Sequence, residues 1–481
     1  MPFKPLSCVF GKYFIPQRYI LVFMMQLALL NCYHLRVVYN IAITEMLKEP
    51  TPNSTEEFVD ACPEFTYESV VSESSVQFEW DPLWESFTLY AFYIGYIVTH
   101  VPGGWLADKI GARHVMGTCV VVSCLITAVF PILVTVVERG DVTAVALRMI
   151  LGFAQGPILP TVSAFIQCWV PKEHRAFLGG VAFGGSNIGT VTGCGLTGVI
   201  IHETGHWYMP FYVWAAMALL WYIFYSFMVF SGPDSHPFIT EAERDQVLEE
   251  VPPHGKSFHV PWRAIFRGMP FWALLAGQFG HNFIFFTLVT YLPKYLKDIL
   301  KMSVRSNALF TSIPFFLLWM FSIIVCYFSD IVTNHKWLSL ATARKICTTF
   351  SIIVPSAFLL LTGYLGCHRV GAIISYTAGI CCIGPFYAGM KINVNDLTIH
   401  YAGTIMAVVN GLGATAGILG PYIVGCLTHT RSIDSWLIVF WITMGVSIIC
   451  SLFYCVFASA ERQHWDYADE LHHSTSFTIH F

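Results

Sequence analysis

The chain has 481 residues, of which 55% are hydrophobic and only 12% charged, with a mean hydropathy of +0.60. A water-soluble fold cannot hide that much apolar surface, so the composition excludes a soluble domain and points to a polytopic membrane protein. The formal net charge of −4 offers no basic surface for nucleic acid and says little else about partners, because the charge is lopsided along the chain.

In chain order, about twelve apolar runs of roughly 20 residues recur. They fall near Tyr19–Ala42, Trp84–Leu106, His114–Val137, Val142–Trp169, Phe177–Ile201, Phe211–Phe230, Phe271–Leu296, Ala308–Ile331, Ile346–Leu365, Ala372–Met390, Ala402–Leu427 and Trp436–Ala458. The first run continues through Arg36 without a small-residue cleavage site, so it is expected to stay in the protein as a helix.

After it, the segment Glu45 to Glu85 carries Glu49, Glu56, Glu57, Asp60, Glu64, Glu68, Glu73 and Asp81 against Lys48, and is expected to face outward. Asn53-Ser54-Thr55 in this segment fits a glycosylation acceptor. Basic residues cluster instead at Lys109/Arg113, Lys172/Arg175, Arg244/Lys256/Arg263/Arg267 and Lys336/Arg344/Lys345. By the positive-inside rule these loops, and with them both termini, are cytoplasmic. Most cysteines lie inside the spans, where they pack as small hydrophobes; Cys62 and Cys367 map to the outer face and are candidates for pairing. No metal-ligand spacing appears, and no cofactor is expected.

Between the second and third runs, Gly103-Gly104-Trp105-Leu106-Ala107-Asp108-Lys109-Ile110-Gly111-Ala112-Arg113 is short and charged. Its glycines let two helices close tightly, while Asp108 is kept at the aqueous edge by the cost of burying it. Ser329-Asp330, followed by Arg344-Lys345, is a degraded copy of this pattern in the second half of the chain. The small-residue run Gly184 to Gly193 in the fifth span is likewise echoed by Asn410 to Gly417 in the eleventh. Between the copies, residues 231–268 hold Pro233, Pro237, Pro252, Pro253 and Pro261 with much charge, and read as a cytoplasmic linker. The chain therefore divides into a six-helix half at 1–230, the linker, and a six-helix half with a tail at 269–481. Small-residue faces glue static membrane proteins too, but their repetition favours two bundles that move against each other.

Two arginines interrupt apolar runs: Arg36 in the first and Arg148 early in the fourth. At the bilayer centre an arginine costs on the order of 2.5 to 3.5 kcal/mol on insertion scales, so a buried one marks a functional site unless it snorkels to an interface. Gln155, seven residues after Arg148, projects from nearly the same face, and His281 places an imidazole in the aromatic seventh span. A cavity holding two arginines and a histidine, with no carboxylate nearby, would accept a small anion.

These residues resemble the anion:cation symporter branch of the major facilitator superfamily, which includes type I phosphate cotransporters, sialin and the vesicular glutamate transporters. The resemblance is carried by the Gly103–Arg113 loop and Arg36-Val37 with Ala42 and Met46. It is carried further by Gly95-Tyr96-Ile97-Val98-Thr99 and by Arg148 with Gly152, Gly156 and Pro160. Trp169-Val170-Pro171, His236-Pro237, Asn393 with Asp396, Tyr401-Ala402-Gly403 and Gly420-Pro421 continue it to Trp465. It implies an all-α membrane protein of about twelve helices in two halves, with transport by rocking about a midplane site.

The resemblance further implies that Arg36 and Arg148 bind the substrate anion and that Asp108, Arg113 and Asp330 serve a cytoplasmic gate. It also implies coupling to sodium or protons, and residence in the plasma membrane or an endolysosomal or vesicular membrane. The sequence departs from the branch at several points. Gln155 stands where a glutamate usually couples protons, His281 where the glutamate carriers have arginine, and Leu89 where they have histidine. Ile399-His400 replaces a Pro-Arg. If protons still drive transport, an imidazole has to carry them, and the candidates are His281 and His100. Enzyme motifs are missing: no phosphate-cradling Gly-rich loop, no H-E-x-x-H and no nucleophile elbow. The rivals to a transporter are a non-transporting membrane receptor of the same fold and an anion-conducting leak.

Overall fold

The computed structural model describes residues 15–47, 78–80, 82–250, 260–288, 304–366, 368–427 and 433–467. Asn53, Cys62 and Cys367, and with them the proposed glycosylation and pairing, lie outside the described residues. The described chain is almost wholly helical. Its first half contains α1 (Gln17–Met46), α2 (Pro82–Ile110), α3 (Ala112–Val136), α4 (Gly140–Gln155), α5 (Ile158–Trp169), α6 (Arg175–Thr204) and α7 (Met209–Met228). Two short helices, α8 (Glu241–Glu250) and α9 (Trp262–Arg267), lie in the linker. The second half contains α10 (Met269–Phe286), α11 (Val304–Asn334), α12 (Leu340–Tyr364), α13 (Arg369–Cys381), α14 (Met390–Leu397), α15 (Ala402–Gly413), α16 (Ala416–Leu427) and α17 (Ile433–Phe457).

Eight helical stretches among the described residues are long and apolar enough to cross a bilayer. Their outer faces suit lipid: Ile449, Leu452 and Val456 form an exposed apolar stripe along α17, which water would penalise and hydrocarbon accepts.

Three spans read as continuous in the sequence are broken. The fourth divides into α4 and α5 at Pro157, the tenth into α13, a 3₁₀ turn at Gly384–Tyr387 and α14, and the eleventh into α15 and α16. The first break has a local cause. Pro157 has no N–H for the Phe153 carbonyl, and Thr99 Oγ1 of α2 donates to that oxygen instead, at 2.9 Å.

Among the described residues the halves meet most extensively along two helix pairs, α2 with α15 and α6 with α11. At the first, a Cβ on Gly104 would lie 2.5 Å from the Gly403 carbonyl oxygen, so glycine is what lets these backbones meet. The linker and tail tie down the end of the molecule that carries them. Glu243 of α8 accepts from the Gln17 and Arg18 N–H groups at the start of α1, and Asp466 accepts from the Ile399 and His400 N–H groups.

Candidate substrate site and gate

Arg36 lies on α1 with its guanidinium against three rings, 4.5 Å from the Tyr33 centroid, 4.4 Å from Phe92 and 5.0 Å from Tyr96. Cation–π attraction partly replaces lost hydration. Its Nε and Nη2 are buried without a hydrogen-bond partner, so the donors that would fork onto an anion are free.

Arg148 on α4 is 3% exposed and differently employed. It donates to the Thr88 carbonyl at 3.4 Å, the Arg36 carbonyl at 3.0 Å and Asn40 Oδ1 at 3.4 Å, and it lies over Tyr39 and Phe92. Gln155, seven residues on, reaches the same helix: its Nε2 donates to the Cys32 carbonyl at 3.0 Å, leaving Oε1 without a partner. The shared face expected from the spacing is thus turned toward α1, where Arg148 and Gln155 fix the helix that carries Arg36.

The two histidines part company. His281 lies flat on Phe386 of the 3₁₀ turn, centroids 3.4 Å apart, with Phe285 on α10 also stacked on it. His100 on α2 sits instead in a polar chain between the halves. Asn410 of α15 approaches His100 Nε2 at 2.9 Å and Tyr96 Oη at 3.5 Å, while Lys391 Nζ of α14 donates to Asn410 Oδ1 at 3.1 Å. An ammonium only donates, so Asn410 must present its oxygen to Lys391 and its Nδ2 to His100. His100 Nε2 is then the acceptor, and the ring proton is on Nδ1.

At the terminus-bearing end, Asp108 and Asp330 make equivalent contacts across the two helix crossings. Asp108, near the end of α2, accepts from the Gly403 N–H at 3.1 Å, the Thr404 N–H at 2.7 Å and Thr404 Oγ1 at 2.6 Å. Asp330, near the end of α11, accepts from the Ala176 N–H at 3.2 Å and the Phe177 N–H at 2.7 Å. Each carboxylate thus caps the second and third N–H groups of a helix in the opposite half, a position favoured by both orphan donors and helix dipole. The residues preceding α6 and α15 provide no side-chain cap themselves.

Arg113 is turned to its own half, donating to the Ser226 carbonyl at 2.8 Å and lying over Phe230. The basic contribution between the halves comes from elsewhere. Asp396 pairs with Arg344 at 2.8 Å and with Arg175, from the other half, at 3.6 Å. Beside it, Asn395 exchanges hydrogen bonds with Ser163 and its side-chain amide donates to Gln167.

Sequence reasoning missed Asp396 with Arg175 as an inter-half contact, and Lys391 altogether. The signal for Lys391 was a lysine in an apolar run, but with the tenth span ending at Met390 it fell at the membrane edge. In the structure it is 4% exposed.

Among the described residues, no group of histidines, cysteines and acids is arranged to hold a metal ion.

Comparison with known proteins agrees with this architecture. Residues 58–421 match the Major Facilitator Superfamily. The chain is 33% identical over 474 residues to a Drosophila melanogaster protein named "Putative inorganic phosphate cotransporter", covering 96% of this chain and 88% of that one. It is 29% identical to human sialin, covering 92% and 88%, and 27% identical to human vesicular glutamate transporter 2, covering 97% and 78%. Among solved structures, the proton:xylose symporter XylE superposes with a TM-score of 0.64 at 13% identity, covering 92% of this chain and 97% of XylE, a likeness of fold alone. The chain is a multi-pass membrane protein of the major facilitator superfamily and belongs to its anion:cation symporter branch, a family of secondary transporters.

Proposed function

We propose that the protein is a secondary active transporter of a small organic or inorganic anion, coupled to a cation and working by alternating access about Arg36. It makes and breaks no covalent bond and needs no cofactor. Arg36 carries this reading: a buried guanidinium with two unpartnered nitrogens, among rings and without a carboxylate, is built to receive an anion. Support also comes from the relatives, whose names include inorganic phosphate and glutamate.

The gate is formed by Asp108 and Asp330 on the helix N-termini they cap, with Asp396 and Arg175 beside them. Arg113 supports it from behind by holding α3 to the end of α7. These contacts join the halves at the terminus-bearing end, which we take as cytoplasmic. The boundaries 1–230, 231–268 and 269–481 describe the moving units and their connection.

Uptake into proteoliposomes of phosphate, sialate, glutamate and urate, each with and without sodium and a pH gradient, tests the function. At least one anion should enter in a saturable, cation-dependent way, and Arg36→Ala should abolish it at normal protein level. Equal uptake in Arg36→Ala, or no uptake of any of the four, refutes the proposal. For sidedness, glycosidase should shift the wild type but not Asn53→Gln, and a tag in residues 231–268 should be reachable only after permeabilisation.

A further inference from the structure

Lys391 is a second buried cation with spare donors, and it belongs to the half that lacks Arg36. Its ammonium donates to Asn410 Oδ1 at 3.1 Å and lies 5.4 Å from the Phe183 ring centroid on α6. Among the described residues, neither Lys391 nor Arg36 nor Arg148 pairs with a carboxylate. Arg148 has main-chain carbonyls for its donors, which leaves Arg36 and Lys391 as the cations with capacity for a ligand. They are joined across the interface by Tyr96 and Asn410: Arg36 packs on the Tyr96 ring, and Asn410 reaches both Tyr96 and Lys391.

Two buried positive charges, one from each half, lie on the same Tyr96–Asn410 chain, and each carries a desolvation cost that a counter-charge would offset. A monoanion compensates one of them. Resting on the reading above that this chain carries an anion, we propose that Lys391, presented by Asn410, is the second-half cation of the binding site. Its ligand bears two negative charges and bridges Arg36 to Lys391.

The planar fork of Arg36 grips one pair of oxygens, and the compact ammonium takes the other charge. Such a ligand has differential affinity for the state in which the halves close on it, because only there are both cations within reach. Binding and rocking are thereby coupled.

The test uses the full chain in nanodiscs and two probe pairs that differ in charge, the first pair also matched in shape. These are succinate against succinamate, and inorganic phosphate against dimethyl phosphate at mildly alkaline pH. The wild type should bind at least one dianion about tenfold or more tighter than its monoanionic partner, as expected for an added charge-assisted contact. Lys391→Gln keeps a donor for Asn410 but drops the charge. In it the preference should fall to within about threefold, with the unliganded thermal midpoint unchanged or raised because an uncompensated buried charge is gone. Lys391→Arg should restore part of the preference.

An undiminished dianion preference in Lys391→Gln, or no preference in the wild type, overturns the proposal while leaving anion transport standing. A lowered unliganded midpoint in Lys391→Gln also overturns it, by assigning Lys391 to the scaffold. Failure of the wild type to bind any of the four probes counts against this proposal and the anion reading together.

Discussion

Arg148 Nη1 donates to the main-chain carbonyl of Arg36 at 3.0 Å, so one buried arginine holds the helix that presents the other. Two residues with the same apparent status in the sequence thereby receive different work. A guanidinium spent on carbonyl oxygens stabilises the fold, and one with unpartnered nitrogens is available to a ligand.

The two arginines should therefore separate in experiment. Arg148→Ala removes the charge-assisted hydrogen bonds that tie α4 to α1 and α2 and should lower stability by roughly 1.5–3 kcal/mol, visible as an early thermal transition without ligand. Arg36→Ala should unfold close to the wild-type midpoint yet lose uptake, and Arg36→Lys should lose it too because an ammonium cannot reproduce the fork. Equal destabilisation by both alanine variants would contradict the division of labour.

Asp108 and Asp330 predict a matched pair of gate defects. Removing either carboxylate exposes two helix-terminal N–H groups and a dipole across the interface, so the closed arrangement at that end should lose population by about tenfold. Ser163, buried beside Asn395, reports this. Alkylation of a Ser163→Cys variant by a water-soluble maleimide, after blocking accessible native thiols, should speed up in both Asp108→Ala and Asp330→Ala. An unchanged rate in either would remove that aspartate from the gate.

The imidazoles bear on coupling. His281→Phe preserves the stack on Phe386, and His100→Gln preserves an acceptor for Asn410 Nδ2. Neither replacement can titrate. Because His100 Nε2 is held as an acceptor by Asn410 and His281 is packed between phenylalanine rings with no acid beside it among the described residues, uptake should keep its pH profile over about 5.5 to 7.5 in both variants. A profile that flattens in one of them would make that ring the proton carrier; preservation in both favours sodium coupling.

A pH effect on the linker is expected from His236, outside the membrane. Its Nδ1 accepts from the Phe238 N–H at 3.2 Å, and its ring packs between Trp169 and Phe230. Burial lowers its pKa from 6.5 to about 4, helped by the nearby charge of Arg113. A depressed value in the folded state means the contribution to stability is complete above 6.5 and is lost as pH falls toward 4. The thermal midpoint should decline over that window, and less steeply in His236→Gln. Parallel declines in the two proteins would show that His236 is not responsible.

The sequence by itself determined the membrane class, the number and order of the spans and the repeat between the halves. Each follows from composition and local periodicity, and the cost of burying charge flagged Arg36, Arg148, Asp108 and Asp330 without any three-dimensional information. Tertiary structure decided what those groups touch. Arg148 meets the Arg36 carbonyl because its long side chain reaches α1 from a helix packed on α2 and α3, and Asp108 and Asp330 cap helices of the opposite half nearly three hundred and about one hundred and fifty residues away in sequence. Lys391 was hidden because the breaks in the tenth span move it inward from a boundary that hydropathy alone puts at Met390. Hydropathy averages over a window and reports the depth of a segment, whereas a hydrogen bond depends on which two helix faces meet, and helix packing alone fixes that.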